Sequence, residues 1–235
     1  MYRERGTSLA GAVLWESISS GTGPVRVLPD GCLDLLWSSR RGLLVAGPDR
    51  TAHLSTSAAG ERWVGLRLPP GVGPAVFGVP ADELRDRRVP LVDLWGPVGV
   101  GVEDRAAGGR GVTAVLAEVV RDRLRAAGGP DPLGAHLAAR LAVGRPVGAV
   151  AAEVGLGDRA LHRRCRHLFG YGPKTLARIL RMRRALALAR AGTPLAEVAA
   201  RAGYADQAHL TRDVRELAGV PPGVLLRDRP RAAAR

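Results

Sequence analysis

The stretch TPLAEVAARAGYADQAHLTRDVRELAGVPP, residues Thr193–Pro222, decides the fold of the C-terminal part of the chain. Its first part carries an apolar stripe at helical spacing, formed by Leu195, Val198 and Ala199. Gly203 then interrupts the pattern, as the sharp turn between two packed helices requires. The spacing therefore predicts a short helix that is followed by a tight turn.

A second helix is predicted directly after this turn. Leu210, Val214 and Leu217 are spaced i, i+4 and i+7 and must face inward, whereas Gly219 and the prolines that follow it end the helix. The outer face keeps glutamine, threonine and arginine side chains. Because such side chains can bind base edges in a DNA major groove, the stretch is typical of a helix-turn-helix unit.

A second copy of this unit comes earlier in the chain, where VGAVAAEVGLGDRALHRRCRHLFGYGP occupies Val147–Pro173. Asp158 corresponds to Asp206 in this alignment, but the apolar residues that follow are shifted by one position. We therefore expect the later copy to contain one extra residue, His209. The inward spacing is repeated at Leu161, Cys165 and Leu168. Two copies of one supersecondary unit indicate a repeat rather than chance.

The segment between the copies, Lys174–Ala191, contains neither glycine nor proline and has an apolar face. It is predicted to be one helix, about 27 Å long at 1.5 Å per residue. This length is near the ~34 Å that separates successive major-groove faces of B-DNA. A rigid connector of this kind could place two reading helices in adjacent turns on one side of a duplex.

Residues 146–227 resemble the DNA-binding region of the AraC/XylS family of bacterial transcription regulators. The resemblance is carried by the run GYADQAHLTR at Gly203–Arg212 and by GVPP at Gly219–Pro222, together with the double spacing. It implies a C-terminal all-α domain with two helix-turn-helix motifs joined by a long helix. The reading helices are then expected near residues 158–168 and 206–218.

The sequence departs from the pattern of this family at several positions. Cys165 and Val214 stand where the family usually has phenylalanine, and Ala208 stands where it usually has serine. Gly157 and Ala205 replace serine-like helix caps. We expect a smaller core and weaker capping, by about 1 kcal/mol for each lost cap.

The resemblance and the outward-facing residues together define the candidate DNA-contacting side chains. Arginine can bind guanine O6 and N7 through two parallel hydrogen bonds, and glutamine can do the same with adenine N6 and N7. The positions that match the base-reading positions of the family are Arg159, His162, Arg163, Gln207, His209, Thr211 and Arg212. The positions expected to contact phosphate, which orients a protein on DNA without specifying sequence, are Arg166, Lys174, Arg178 and Arg215.

The charge distribution supports the same interpretation. Residues 1–133 hold 16 arginines and 15 acidic residues, a net charge of +1, whereas residues 134–235 hold 19 Lys and Arg and 7 acidic residues, a net charge of +12. These two values give the net charge of +13 of the whole chain. A basic C-terminal half behind a nearly neutral N-terminal half is typical of a nucleic-acid-binding domain attached to a second module.

The N-terminal half is predicted to be rich in short strands. Strand candidates are separated by Gly, Pro and Asp turns and occur at 11–18, 24–38, 43–46, 52–56 and 62–68. This regular spacing favours a small barrel or sandwich-like domain that also contains helices. Residues 73–87 are predicted to be helix and turn, and the fold class of the whole chain is α+β.

An amphipathic helix is predicted at Val112–Ala127, which could pack on its own domain or pair with its copy in a homodimer. The predicted organisation is a sensor or dimerisation domain over 1–127, a linker over 128–133, a DNA-binding domain over 134–228 and a basic tail over 229–235. The runs PDGCLDLLW, GLRLPPG and PLVDLWG resemble an N-terminal domain found ahead of AraC-type modules. In the wider family, such a domain senses a small ligand or mediates dimerisation.

Cysteine and histidine chemistry is not expected to define a catalytic or metal site. Cys32 and Cys165 are the two cysteines, and they provide neither a disulfide framework nor a metal-ligand set. Asp30 and Asp34 flank Cys32, but no histidine is near in sequence, so a turn Asp, a buried Cys and a hydrogen-bonded Asp are expected. His162 and Cys165 are predicted on opposite faces of one helix. We therefore expect no metal, no other cofactor and no catalytic residue.

The favoured function is that of a bacterial transcription regulator that binds specific double-stranded DNA. Its further partners under this hypothesis are RNA polymerase, a small-molecule effector or a second copy of the chain. The alternatives are an enzyme tethered to DNA and an unregulated architectural DNA-binding protein. We expect a cytoplasmic, nucleoid-associated protein, since the start of the chain lacks a signal-peptide pattern and no apolar run approaches the ~18 residues of a membrane span.

Overall fold

The computed structural model describes residues 2–108 and 111–227. The strands of the described N-terminal part are β1 (Tyr2–Gly6), β2 (Val13–Ile18), β3 (Val25–Val27), β4 (Leu33–Ser38), β5 (Gly42–Ala46), β6 (His53–Ser55), β7 (Arg62–Leu68) and β8 (Arg88–Pro90). The helices that accompany them are α1 (Gly73–Phe77), α2 (Leu91–Trp95), α3 (Pro97–Ala107) and α4 (Val112–Ala126). A single 3-10 turn at Ala81–Glu83 lies between α1 and β8.

The C-terminal part of the described chain is helical. Its helices are α5 (Pro132–Ala142), α6 (Val147–Glu153), α7 (Asp158–Phe169), α8 (Pro173–Arg190), α9 (Leu195–Ala202), α10 (Gln207–Ala218) and α11 (Pro222–Arg227). We refer to residues 2–127 as the N-terminal region and to residues 132–227 as the C-terminal region. The fold class is therefore α+β, as expected.

The strands form one antiparallel sheet of six strands in the order β1-β2-β7-β4-β5-β8 and a separate antiparallel ribbon of β3 and β6. The two ends of the sheet, β1 and β8, do not pair with each other among the described residues. In place of the expected barrel or sandwich, the described residues form an open sheet with an accompanying ribbon. The strand candidates of the sequence analysis correspond to β2 through β7.

Alternation along the central strands decides which face of the sheet packs inward. Leu33 and Leu35 of β4 and Leu66 and Leu68 of β7 are fully buried, and they pack on the helices. Asp34, between two of these leucines, points to the opposite face, as the period of two in a strand requires. Burying a leucine contributes about 1.5–3 kcal/mol, so this face supplies much of the stability of the region.

Helix α4 packs on its own region. Its buried face consists of Val115, Leu116, Val119, Val120 and Leu124, which belong to the same hydrophobic cluster as the sheet. The Nε atom of Arg123 donates a hydrogen bond to Val76 O at 2.8 Å. Of the two roles left open for this helix, packing within its own domain is the one observed.

Several described elements were not predicted from the sequence, and β1, α3 and β8 are among them. The edge strand β1 reads Tyr-Arg-Glu-Arg-Gly and lacks alternating apolar residues, because most of it is exposed. Helix α3 contains Gly99 and Gly101, which lower helix propensity, yet Val102 and Ala106 are buried on the core and stabilise it. The short strand β8 pairs with β5 at the opposite edge of the sheet.

The C-terminal helices follow the prediction closely. Helices α6 and α7 form the first helix-turn-helix unit, α9 and α10 form the second, and α8 connects them as one helix of 18 residues. Their apolar residues form a second hydrophobic cluster that runs from Leu137 to Leu225. The basic tail predicted for 229–235 lies outside the described residues.

One detail of the repeat alignment was wrong. Helix α7 begins at Asp158 after the N-cap Gly157, whereas α10 begins at Gln207 after the N-cap Asp206. Gly157 therefore corresponds to Asp206, and the extra residue of the second copy lies in the turn rather than at His209. The sequence alignment failed because it matched two aspartates that occupy different positions of their helices.

A buried carboxylate joins α8 to the second unit. Asp213 of α10 is 5% exposed, and its Oδ1 accepts a hydrogen bond from Arg178 Nε at 2.9 Å. Its Oδ2 accepts hydrogen bonds from Arg181 Nη2 at 3.1 Å and from the Tyr204 hydroxyl at 3.0 Å. Burial would raise the pKa of Asp213, but the hydrogen bonds from the two arginines and the tyrosine outweigh it and hold the pKa below its usual value.

Helix α8 also holds the ends of two neighbouring helices through Arg184. One Nη atom donates to Ala142 O at 2.6 Å and the other to Ala202 O at 2.7 Å. These carbonyls belong to the last turns of α5 and α9, where intrahelical partners are missing and a positive charge is favourable. The arginines at three-residue intervals along α8 therefore fasten it to the surrounding helices.

We predict that Asp213→Asn lowers the free energy of unfolding by about 3 kcal/mol, because it leaves Arg178 and Arg181 without a buried counter-charge. Urea denaturation measures this difference. Glu216→Gln is the matched control, since Glu216 contacts Arg178 from an exposed position. An equal effect of both substitutions would contradict the importance of the buried carboxylate.

The same network predicts a pH dependence with a defined sign. Because the folded-state pKa of Asp213 is lowered, its contribution is complete above the unfolded pKa of about 3.9 and is lost as the pH falls through the folded-state pKa. The stability difference between the parent and Asp213→Asn should therefore be constant above about pH 5 and shrink below about pH 4.

Candidate nucleic-acid interface

The two reading helices present equivalent outer faces. Each is separated from its preceding helix by a turn in which a glycine has a positive φ, Gly155 at 66° and Gly203 at 78°. Their inward faces, which include Leu161 and Cys165 of α7 and Leu210 and Val214 of α10, are at most 1% exposed. Since these residues enter one core cluster, the polar residues of both helices are forced to the outside.

The corrected alignment pairs the outward residues of the two helices. Each residue of α7 corresponds to the residue of α10 that holds the same position after the N-cap. The resulting pairs are Asp158 with Gln207, Arg159 with Ala208, His162 with Thr211, Arg163 with Arg212 and Arg166 with Arg215. Arginine thus occupies two equivalent positions in both helices.

Several of the arginines predicted to contact DNA are exposed and have no partner among the described residues. Within the described parts of the chain, the guanidinium groups of Arg159, Arg163, Arg212 and Arg215 make no hydrogen bond or ion pair with another residue. Lys174, in the first turn of α8, is exposed and unpaired in the same sense. These side chains can therefore bind an external anion or base edge without first breaking a contact.

Two predicted base-reading residues turn toward their own backbone. The Nδ1 atom of His209 accepts a hydrogen bond from Ala205 N at 3.3 Å, and its ring packs edge-on against Tyr204. The Thr211 hydroxyl donates to Gln207 O at 2.8 Å. His209 is therefore placed beside the turn, and the hydroxyl proton of Thr211 is already used in a hydrogen bond within α10.

Two predicted phosphate contacts are already engaged. Arg166 Nη2 lies 2.6 Å from Asp82 Oδ2 in the N-terminal region. Arg178 Nη2 lies 2.7 Å from Asp213 and 2.8 Å from Glu216. Sequence spacing could not reveal these contacts, because they depend on which carboxylates the tertiary fold brings to each arginine.

The remaining predicted residues are placed as follows. His162 and Gln207 are exposed on α7 and α10, and the His162 ring lies over Gly172, where a Cβ atom would come within 2.6 Å of it. Cys165 is fully buried on the opposite face of α7, so the two side chains point in different directions. Asp158 was not predicted from the sequence to contact DNA, although the corrected alignment makes it the counterpart of Gln207.

The acidic turn of the N-terminal half has structural partners. Asp30 accepts a hydrogen bond from Cys32 N at 2.9 Å, which closes the turn, and Asp34 accepts one from Trp15 Nε1 at 3.2 Å. Arg67 Nε lies 3.5 Å from Asp34. Burial, with the nearby carboxylates, raises the pKa of the Cys32 thiol well above its usual value, which is opposite to what a nucleophilic cysteine needs.

Two family models match separate parts of the chain. Residues 150–228 match an AraC-type family model described as a helix-turn-helix domain, and residues 12–90 match one described as a domain of unknown function (DUF6597). A comparison with curated protein sequences gives no significant match.

Three of the solved structures that match parts or all of the chain are regulators or their domains. The C-terminal domain of AraT, a response regulator from Geobacillus stearothermophilus, is 22% identical over 42% of this chain and 87% of its own, with a TM-score of 0.39. A probable AraC family transcriptional regulator from Rhodopseudomonas palustris is 24% identical over 42% of this chain and 94% of its own, with a TM-score of 0.35. ToxT from Vibrio cholerae with a bound unsaturated fatty acid is 9% identical over 98% and 99% of the two chains, with a TM-score of 0.45.

The two equivalent helix-turn-helix units, their basic outer faces and the matching family model define a DNA-binding protein. Residues 150–228 form a helix-turn-helix domain of the AraC type. Within residues 2–108 and 111–227, no helix combines the length and apolar character that crossing a bilayer would require.

We predict that Asp206→Ala lowers the free energy of unfolding by about 1 kcal/mol, because the carboxylate of Asp206 caps α10 by accepting from His209 N at 2.6 Å. The reciprocal change, Gly157→Asp, should stabilise α7 by a few tenths of a kcal/mol, since Gly157 has an extended backbone and open space around it. Thermal and urea unfolding measure both effects, and a destabilising Gly157→Asp would contradict the assigned N-cap.

Proposed function

We propose that this protein is a transcription regulator of the AraC type, which binds a specific DNA sequence by placing α7 and α10 in two adjacent major-groove segments on one side of the duplex. The observation that carries the proposal is the equivalence of Arg163 and Arg212, which occupy the same outward position of the two helices and have no described partner. The length of α8, about 27 Å for 18 residues, suits this spacing.

The side chains divide into three proposed roles. Arg159, Arg163, Gln207 and Arg212 are proposed to contact bases directly, with His162 and Asp158 beside them on α7. Lys174 and Arg215 are proposed to contact phosphates. His209, Thr211 and Arg178 are proposed to act less directly. His209 supports the turn, and Thr211 offers only its methyl group to a base. Arg178 positions α10 through its contact with Asp213.

The N-terminal region is proposed to regulate this DNA binding. Two clefts lie where it meets the C-terminal region, and one of them, about 490 Å³, is lined by charged residues that include Asp49, Arg50, Asp86, Arg178 and Glu216. A small polar effector bound there would touch both regions at once. The apolar face of α4 is buried in its own region, so a homodimer would have to use another surface.

The domain organisation follows the two hydrophobic clusters. We propose a regulatory domain over 1–127, a linker over 128–133 and a DNA-binding domain over 134–228, because one cluster ends at Leu124 and the other begins at Leu137. We further propose a cytoplasmic protein that acts at the nucleoid and with RNA polymerase and has no catalytic role. The raised pKa of Cys32 gives no support to the alternative of a DNA-tethered enzyme.

Selection from randomised duplex DNA at physiological salt tests the proposal. We expect a motif with two elements about one helical turn apart. Arg163→Ala and Arg212→Ala should each weaken binding by about 1–3 kcal/mol and relax sequence preference in one element only. Arg121→Ala, an exposed arginine on α4, is the control for lost charge. Salt-sensitive binding without an enriched motif would contradict sequence-specific reading.

The ion pair between Asp82 and Arg166 gives a second prediction. If Arg166 exchanges Asp82 for a phosphate on DNA, Asp82→Asn should tighten binding about twofold to fivefold, the range of a surface ion pair. The gain should vanish when Arg166→Ala is added. Glu83→Gln removes the same charge from the same turn, and an equal gain from this control would show a general electrostatic effect instead.

A further inference from the structure

The N-terminal region contacts the carboxyl end of both reading helices. Arg85 Nη1 donates a hydrogen bond to Gly170 O at 2.8 Å, where α7 ends. Arg26 Nη1 donates one to Ala218 O, also at 2.8 Å, where α10 ends. Carbonyls in the last turn of a helix lack intrahelical partners, and a cation at this end also interacts favourably with the helix dipole.

Close backbone packing accompanies each of these hydrogen bonds. At the end of α10, Ala52 N donates to Leu217 O at 2.7 Å. At the end of α7, a Cβ atom on Gly170 would come within 2.6 Å of Pro48 Cγ and 3.2 Å of Ala81 O. Both helix ends are therefore seated on the N-terminal region rather than reached by one long side chain.

The two contacts come from different parts of one scaffold. Arg85 follows the 3-10 turn behind α1, whereas Arg26 belongs to β3 of the two-stranded ribbon. The ribbon is fastened to the main sheet near its end, where Arg41 Nη2 donates to Thr56 O and Trp63 Nε1 donates to Ser57 Oγ. The distance between the 3-10 turn and the ribbon is therefore linked to the distance between the ends of α7 and α10.

The contacts within the C-terminal region are uneven between the two units. Arg178 and Arg181 fasten α8 to α10 through the buried Asp213, whereas no described side-chain hydrogen bond or ion pair links α8 to α7. The first unit is joined to α8 through apolar packing and chain continuity. Contacts that hold the ends of both α7 and α10 would therefore restrict the movement of the first unit relative to the second.

We propose that Arg26 and Arg85 are positioning residues that fix the distance and angle between the two reading helices and thereby the operator spacing that the protein accepts. This inference rests on the proposed reading of DNA by both helices. One inserted base pair moves one element by about 3.4 Å and rotates it by about 35°, since a turn of B-DNA has 10–10.5 base pairs. Two rigidly held helices lose affinity when the spacing changes in this way. Two helices that are not held at their ends can adjust to the new spacing and lose less affinity.

The test uses the full chain and the two-element motif that selection yields. Affinity is measured for operators with the selected spacing and with one base pair inserted or deleted between the elements. For the parent protein, we expect a loss of tenfold or more at the altered spacings. For Arg26→Ala/Arg85→Ala, we expect this loss to shrink to about threefold, with the sequence preference within each element unchanged.

Controls separate positioning from charge. Arg62→Ala/Arg121→Ala removes the same two charges from exposed positions of the N-terminal region and should keep the spacing preference of the parent. An unchanged spacing penalty in Arg26→Ala/Arg85→Ala would overturn the proposal. So would a uniform loss of affinity at every spacing, because this would mean that the two arginines act only through charge.

A measurement without DNA tests the positioning role separately from the proposed function. Spin labels on Ala152→Cys of α6 and Ala200→Cys of α9, both exposed, report the distance between the two units. Cys165 is buried, and burial raises the pKa of its thiol to about 12, which protects it from labelling. Cys32 is half-buried, so every labelled variant also carries Cys32→Ser. We expect a narrow distance distribution in the parent and a broad one in Arg26→Ala/Arg85→Ala.

The outcomes of the two experiments differ in what they overturn. Absence of a two-element motif in the parent, with the distance distribution still broadened by the double substitution, would contradict the proposed function while the positioning role stands. Equal distance distributions in the parent and the double variant would overturn the positioning role, whatever DNA the protein selects. If the double variant unfolds, Arg26→Lys/Arg85→Lys replaces it, because lysine keeps the charge but donates from a shorter, differently shaped group.

Discussion

The C-terminal region depends on one buried carboxylate. Asp213 lies on the inner side of α10, 5% exposed, where an unpaired charge would be unfavourable by several kcal/mol. Arg178 and Arg181 of α8 and the hydroxyl of Tyr204 satisfy it, so the connecting helix, the turn and the reading helix are joined at a single point. Arg181 also lies 4.2 Å above the ring of Tyr204, which adds a cation–π contact to the same cluster.

This network explains why an apparently DNA-directed arginine has an internal role. Basic residues on a helix between two reading helices suggest phosphate contacts, and the net charge of the C-terminal half supports that interpretation. Arg178 and Arg184 nevertheless donate to groups within the protein. An unpaired buried oxygen would destabilise the fold by more than an exposed contact with phosphate would stabilise the complex. The free arginines remain on α7 and α10, where the core leaves their outer faces open.

The boundary between the two regions is polar as well as apolar. Leu28 of the N-terminal region packs against the C-terminal core, and a Cβ on Gly31 would lie 3.2 Å from Leu176. Arg26, Arg85 and Asp82 add hydrogen bonds and an ion pair to the reading helices. The turn that closes with Asp30 and Cys32 therefore lies beside α8, which makes it a contact between regions rather than a reactive site.

The sequence by itself determined the helix-turn-helix repeat and most of the strands, because periodicity and turn residues act over a few neighbouring positions. It predicted the inward faces of α7 and α10, the connecting helix α8 and the α+β fold class. It missed β1 and α3, since exposed edge strands and glycine-rich helices carry little periodic signal.

Only the tertiary structure decided which candidate side chains are free. Arg163 and Arg212 remain open, whereas Arg166 is paired with Asp82 and Arg178 with Asp213. It also placed the extra residue of the second unit in the turn and brought Arg26 and Arg85 to the ends of the reading helices. The physical reason is that hydrogen bonds and ion pairs join residues far apart in the chain, so local spacing cannot specify their partners.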